Sequence, residues 1–169
     1  EIIDWMMERK AWSLIDEVAQ RYMDRIKSNR DLLYRFAESH KRRGASAKAD
    51  ELALQAAQLP GRAYEHLRIA YDPLQERGLF KWAEREYRKV IEISKPASRD
   101  DQRGRYFLSE MLHDMKREKE AADTLLPVAT AIQKDKRVKQ VAVSLGRHPG
   151  LISRMHFFYS LHYKSKNNA

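Results

Sequence analysis

Three groups of residues have the types and spacing that chemistry uses. Ser109, His113 and Asp114 carry the side chains of an acyl-transfer triad, and on a helix Ser109 and His113 share one face. A triad is defined by geometry, however, and sequence spacing alone supplies none. His156 and His162 are imidazole metal ligands by type, but six positions place them on different sides of a helix, so joint metal binding is not expected. The chain has neither a glycine-rich phosphate loop between strand and helix nor an HExxH pair. Zero cysteine excludes disulfides, thiolate metal sites and thiol catalysis, and fits a reducing compartment such as the cytoplasm. The reading is therefore non-enzymatic, with no cofactor and no metal.

The third group is basic. Residues 133–169 hold eight basic side chains, Lys134, Lys136, Arg137, Lys139, Arg147, Arg154, Lys164 and Lys166, against one acidic residue, Asp135. Most of the chain's net charge of +9 thus lies in this segment. Phe157, Phe158, Tyr159 and Tyr163 are interleaved with the cations. Cations with aromatics suit single-stranded nucleic acid, through counterion release and base stacking. Because Phe157 to Tyr159 are consecutive, some of these rings must face a core instead. The lysines would equally serve to solvate one side of a short helix.

The elements that position these residues read as helices. Forty-three per cent of the residues are hydrophobic and 34% charged, enough for a core beneath a soluble surface. No apolar run approaches the roughly 18 residues of a membrane span. The longest, Leu151 to Tyr163, is interrupted by Arg154, His156 and His162. The chain opens on Glu1 and closes on Asn168-Ala169 within a helical pattern, so it reads as a piece of a longer protein.

Apolar stripes at three-to-four spacing come in pairs. Leu33, Phe36 and Ala37 precede Arg43-Gly44; Ala49, Ala53, Ala56 and Ala57 follow it, up to Pro60-Gly61. Leu67, Ala70, Tyr71 and Leu74 precede Arg77-Gly78; Ala83, Tyr87, Val90 and Ile91 follow it. The two Arg-Gly turns are 34 residues apart, and so are Leu33 and Leu67, and Ala49 and Ala83. A third pair runs through Tyr106, Leu108 and Leu112, then Ala121, Leu125 and Val128, with Ser98 as the expected N-cap. A helical pattern with this period predicts stacked helix hairpins.

These stripes resemble the tetratricopeptide repeat. Its first-helix apolar places are matched by Leu33-Phe36-Ala37, Leu67-Ala70-Tyr71 and Leu108-Ser109-Leu112, and its small second-helix residue by Ala49, Ala83 and Ala121. In this register Ser109 takes the packed place of Ala37, which argues against a nucleophile. The resemblance covers residues 30–132 as three hairpins and implies an all-α, right-handed stack. Two departures stand out. The third hairpin lacks the turn glycine and comes four residues late. Pro73 and Pro127 fall inside expected helices, where proline removes a hydrogen bond. Residues 1–29 are either a partial earlier repeat or one long helix from Ile2 to Lys27 that shields the array. Residues 133–169 comprise a short basic helix through Val138, Val141, Ala142 and Leu145, then a truncated fourth repeat whose open face would favour self-association.

The resemblance implies that first helices line a concave groove for a protein or peptide partner. That face would comprise Asp31, Tyr34, Glu38 and Lys41, then Glu65, Arg68 and Asp72, then Arg103, Tyr106, Glu110 and His113, continued by Arg154 and Phe157. Tyr34, Tyr106 and Phe157 would be its aromatic anchors. The lysine-asparagine clamp that grips C-terminal carboxylates in one class of these repeats is not matched. Its places hold Tyr34, Glu38, Ile69, Arg103 and Phe107, of which only Arg103 keeps the charge. The groove's five carboxylates suit a mixed or basic partner segment. Two other readings stand beside the scaffold: a nucleic-acid-binding array acting through residues 133–169, and a regulatory appendage of an enzyme whose catalytic domain lies elsewhere.

Overall fold

The fold is set by one turn used four times. In the computed structural model, which describes residues 2–145 and 150–167, a residue in the left-handed region closes a helix at Lys10, Gly44, Gly78 and Lys116, with φ of 53°, 81°, 69° and 62°. Each turn carries the same two bonds. The residue's own N–H reaches back three positions, as from Gly44 to the Lys41 carbonyl at 3.0 Å. The next N–H reaches back five, as from Ala45 to the His40 carbonyl at 2.9 Å. Lys116 and Arg117 repeat this onto His113 and Leu112 at 2.8 and 2.9 Å, and Lys10 and Ala11 onto Met7 and Met6 at 3.1 and 2.9 Å. This is the Schellman termination, which satisfies two orphan carbonyls and favours glycine because L-residues pay a steric cost there. The third hairpin thus makes the glycine turn without the glycine.

All described residues in regular structure are helical. The chain separates into two compact units, residues 1–61 and 62–169. In the first, α1 (Ile2–Glu8) and α2 (Trp12–Arg21) flank the Lys10 turn, α3 (Met23–Lys27) follows, and α4 (Arg30–Arg42) and α5 (Ser46–Gln58) flank Gly44. Residues 2–27 are therefore not one continuous helix. The centre of this unit is α4, on which α1, α2, α3 and α5 all pack. Its buried side chains Leu33, Phe36 and Ala37 meet the alanines of α5, Ala49, Ala53 and Ala56, whose small size lets the backbones approach. Arg30 fastens the far end: its Nε donates to the Ala56 carbonyl at 3.2 Å, and its terminal nitrogen to that of Leu59. An arginine on the last carbonyls of a neighbouring helix supplies donors where the helical hydrogen-bond ladder runs out.

The second unit begins with α6 (Ala63–Ile69), which runs directly into a π-helical segment, Ala70–Gln75, containing Pro73. Proline cannot supply its N–H, and the helix answers by widening its hydrogen-bond register rather than breaking. Across the Gly78 turn lies α7 (Phe80–Ile93), then α8 (Arg99–Asp114) and α9 (Glu118–Lys134) across the Lys116 turn. Pro127 is tolerated within a continuous α9. Ser98 caps α8, accepting the Asp101 N–H, while the Asp101 carboxylate takes the Ala97 N–H at 2.8 Å and holds that residue at φ 59°. The later start of α8 and its extra turn absorb the four additional residues of this hairpin.

The approach of α8 to α7 depends on Gly104. A Cβ on Gly104 would lie 2.8 Å from Val90 Cγ1, so only glycine lets the helices close. Leu108, Met111, Leu112, Leu125 and Val128 fill the α8–α9 layer. The chain ends with α10 (Lys136–Ser144) on α8 and α9, and α11 (Gly150–Asn167) laid along α9 through Leu151, Met155 and Phe158. No described helix is long and apolar enough to cross a membrane.

Candidate functional site

Five of the residues singled out in the sequence converge between α8 and α11. Both terminal sides of the Arg154 guanidinium fork engage the Glu110 carboxylate, Nε on one oxygen and a terminal nitrogen on the other. The same guanidinium lies 5.2 Å from the centre of the Tyr106 ring, a cation–π arrangement. His113, one turn beyond Glu110, is bounded by Phe157 edge-on at 5.9 Å and Phe158 at 4.9 Å. Its Nδ1 faces the Glu118 carboxylate at 2.7 Å. Glu110, His113, Ser153, Arg154, Phe157 and Phe158 line an open cleft of about 350 Å³.

The helical repeat explains the convergence. Tyr106, Glu110 and His113 succeed one another at four and three positions and so form one stripe of α8. Arg154 and Phe157 are three apart on α11 and form the facing stripe, while Phe158 turns into the core. Hydrogen bonding to Glu110 strengthens the proton affinity of Arg154 above the ordinary arginine value, against the opposing effect of burial. Phe157 is 50% exposed despite its ring contacts, so the cleft has one uncovered aromatic wall.

The other expected groove residues are placed differently. Tyr34 is only 3% exposed and belongs to the core of the first unit. Its face of α4 is covered because α1, α2 and α3 pack there, a covering the sequence pattern of α4 itself does not reveal. Glu38 is likewise buried, with Arg42 on one carboxylate oxygen at 2.6 and 3.0 Å and Arg35 on the other at 3.5 Å. Asp31 and Lys41 are exposed in that unit. In the second unit Glu65 caps its own helix, accepting the Arg62 N–H at 2.7 Å, while Arg68 and Asp72 are exposed and Arg103 is half-buried.

The triad types do not assemble. Ser109 Oγ is buried and donates to the Tyr106 carbonyl at 2.7 Å, and the His113 imidazole nitrogen is turned to Glu118. No cluster of three metal-ligating side chains occurs among the described residues.

On the basic segment, Lys134, Lys136, Arg137, Lys139, Lys164 and Lys166 are all exposed, while Arg147 lies outside the described residues. The intervening aromatics divide as consecutive positions require. Phe158 is core, Tyr159 donates its hydroxyl to Asp123 at 2.7 Å, and Tyr163 is 60% exposed. Burial and the Asp123 charge push the Tyr159 phenol up to about 12. Lys119 and Tyr159 together hold the Asp123 carboxyl below its usual range.

Two polar features of the second unit had no expectation attached. His66 and Glu86 form a fully buried pair, Nδ1 to carboxylate at 2.5 Å, between α6 and α7. Glu86 sits on the Ala83-Tyr87-Val90 stripe, so a charge at core register was the available signal. Arg117, just after the Lys116 turn, bonds Glu84 of α7 at 2.6 and 3.2 Å and Glu120 of α9 at 2.6 Å. Burial works to raise the Glu84 carboxyl, but hydrogen bonds from Arg117 and Arg88 outweigh it and hold the group low. No protein-family model, curated protein or solved structure matches the chain.

Proposed function

We propose that this chain is a non-catalytic binding module, resembling tetratricopeptide repeats, whose α8–α11 cleft holds a segment of a partner protein. The observation that carries the reading is the convergence of Glu110, His113, Arg154 and Phe157 on one open cleft, with the Tyr106 ring against the Arg154 guanidinium. Aromatics and arginine dominate binding energy at interfaces because they bury large rigid surface. Here Arg154 is already neutralised by Glu110, so the cleft presents a charge-balanced wall with a half-exposed phenylalanine beside it. An apolar or aromatic side chain flanked by mixed charges fits that wall.

The experiment compares partners captured from nuclease-treated source lysate by the native chain and by Phe157→Ala. Phe157 is half-exposed, so its truncation leaves the fold intact. Loss of specific protein partners with the variant supports the reading; an unchanged partner set rejects it.

A second reading rests on a separate observation. Lys134, Lys136, Arg137, Lys139, Lys164 and Lys166 have no ion-pair partner among the described residues, whereas Arg88, Arg105, Arg117, Lys119 and Arg154 of the same unit are paired. Unpaired cations suit a polyanion such as single-stranded nucleic acid. Neutralising Lys134, Lys136, Arg137 and Lys139 would then flatten the salt dependence of nucleic-acid binding. An unmoved slope would reject these side chains as phosphate contacts.

A further inference from the structure

The two hairpin units each contain a cleft at the same place in the repeat, and the clefts have opposite character. In the first unit, Ala19, Phe36, Lys48, Glu51 and Leu52 line it; in the second, Ile91, Leu108, Glu120, Asp123 and Thr124 do. Each residue of the first set is 72 positions before its counterpart in the second. The second cleft is crossed by Arg105, whose Nε meets Asp101 at 2.9 Å and whose NH1 meets the Thr124 carbonyl at 3.0 Å. At the place of Arg105 the first unit has Leu33, which is buried in the core. No guanidinium therefore fills the first cleft.

What remains is an apolar pocket of about 290 Å³. Ile26 and Phe36 are its buried floor, and Met23, a flexible and polarizable side chain, stands at its rim. Leu52 replaces Thr124, so the wall is more apolar than that of the second cleft. The sign of the rim also changes, since Lys48 replaces Glu120. Lys48 pairs with Glu51 at 2.9 Å. Lys27, also lining the pocket, has no carboxylate at ion-pair distance among the described residues. The rim thus offers two ammonium groups to one carboxylate, above a hydrocarbon floor.

We propose that this cleft of the first unit binds a short aliphatic carboxylate, its chain against Ile26, Phe36 and Leu52 and its carboxylate at Lys27. The volume lies at the lower end of ligand pockets, which suits one short chain and not a two-chain lipid. The site is independent of the α8–α11 cleft and of the basic segment.

The test follows the Met23 methyl resonance of the full chain, labelled at methionine methyls, during titration with decanoate at neutral pH. Decanol and decyltrimethylammonium serve as neutral and cationic controls of the same chain length. The expected result is a saturable Met23 shift with decanoate, weaker binding of decanol and none of the ammonium. Lys27→Glu should weaken decanoate by about fivefold, the upper range for one exposed charge contact. Ala19→Phe should abolish binding by filling the pocket. Should that variant fail to fold, Leu52→Thr, the residue the second unit carries, should weaken binding instead. Absence of a saturable Met23 shift, equal binding of decanol and decanoate, or binding indifferent to the Ala19 and Leu52 variants would overturn the proposal. A protein partner lost with Lys27→Glu, with no decanoate binding, would assign the pocket to a protein side chain and would also overturn it.

Discussion

Lys116 stands where Gly44 and Gly78 stand in the preceding hairpins, with φ of 62° against 81° and 69°, and closes the same pair of backward hydrogen bonds. The turn is therefore imposed by the packing of α8 on α9, and the residue at its apex tolerates a conformation that L-side chains avoid. Lys116→Gly should stabilise the second unit by about 1 kcal/mol, since the left-handed penalty is removed while the bonds remain. Gly78→Ala should cost a similar amount. Urea denaturation of the three chains measures both, and a Lys116→Gly chain less stable than the native one would show that the lysine contributes more than its backbone.

The His66–Glu86 pair predicts a large and asymmetric effect. Both side chains are about 1% exposed or less, so removing one partner takes a hydrogen bond from a polar group that is closed off from solvent. Glu86→Ala alone should cost about 3–5 kcal/mol, as breaking a buried pair does. Replacing both with apolar residues, His66→Leu with Glu86→Met, should recover most of that loss. Equilibrium unfolding of the single and double variants decides it; additive losses would mean the pair is not a coupled unit.

Tyr159 and Asp123 tie α11 to α9 and make this contact sensitive to pH at both extremes. The phenol is raised to about 12 from an ordinary value near 10, so its contribution is complete below about 10 and is lost as pH rises through about 12. The Asp123 carboxyl is lowered, so its contribution is present above the ordinary carboxylate range and is lost as pH falls through its folded value. Tyr159→Phe should therefore be less stable than the native chain at neutral pH, with the difference vanishing above pH 12. A difference that persists there would assign the effect to packing.

Gly104 is a third glycine with a defined reason, a close helix approach and not a turn. Gly104→Ala places a methyl group 2.8 Å from Val90 Cγ1, and overpacking of this kind costs about 1–3 kcal/mol. Pairing it with Val90→Ala should restore part of the loss, and thermal unfolding of the single and paired variants tests the contact.

How much of this was legible in the sequence depends on distance along the chain. Helix stripes, the Gly44 and Gly78 turns and the Ser98 cap are local patterns, and each is present as read. The Lys116 turn was hidden because lysine carries no backbone preference that announces φ above zero. The spacing within α4 alone sets Tyr34 and Glu38 on an open face, and they are buried in a unit where α1, α2 and α3 also pack on α4. On α8 and α11 the facing stripes were legible, since Tyr106, Glu110 and His113 follow helical spacing. Their pairing with Arg154 was not, because 44 residues separate Glu110 from its partner. The apolar cleft of the first unit required knowing that Arg105 lines its counterpart while Leu33 is buried in the core, which is a matter of side-chain direction and not of pattern.

The most direct test of the binding account places a photo-crosslinking phenylalanine at Phe157 and irradiates the chain in nuclease-treated source lysate. The same group at Leu126, an exposed position of α9, is the control. The account predicts a discrete protein adduct at position 157 that the control lacks and that Arg154→Glu diminishes. No adduct at 157, or the same adducts from both positions, would contradict a partner-binding cleft between α8 and α11.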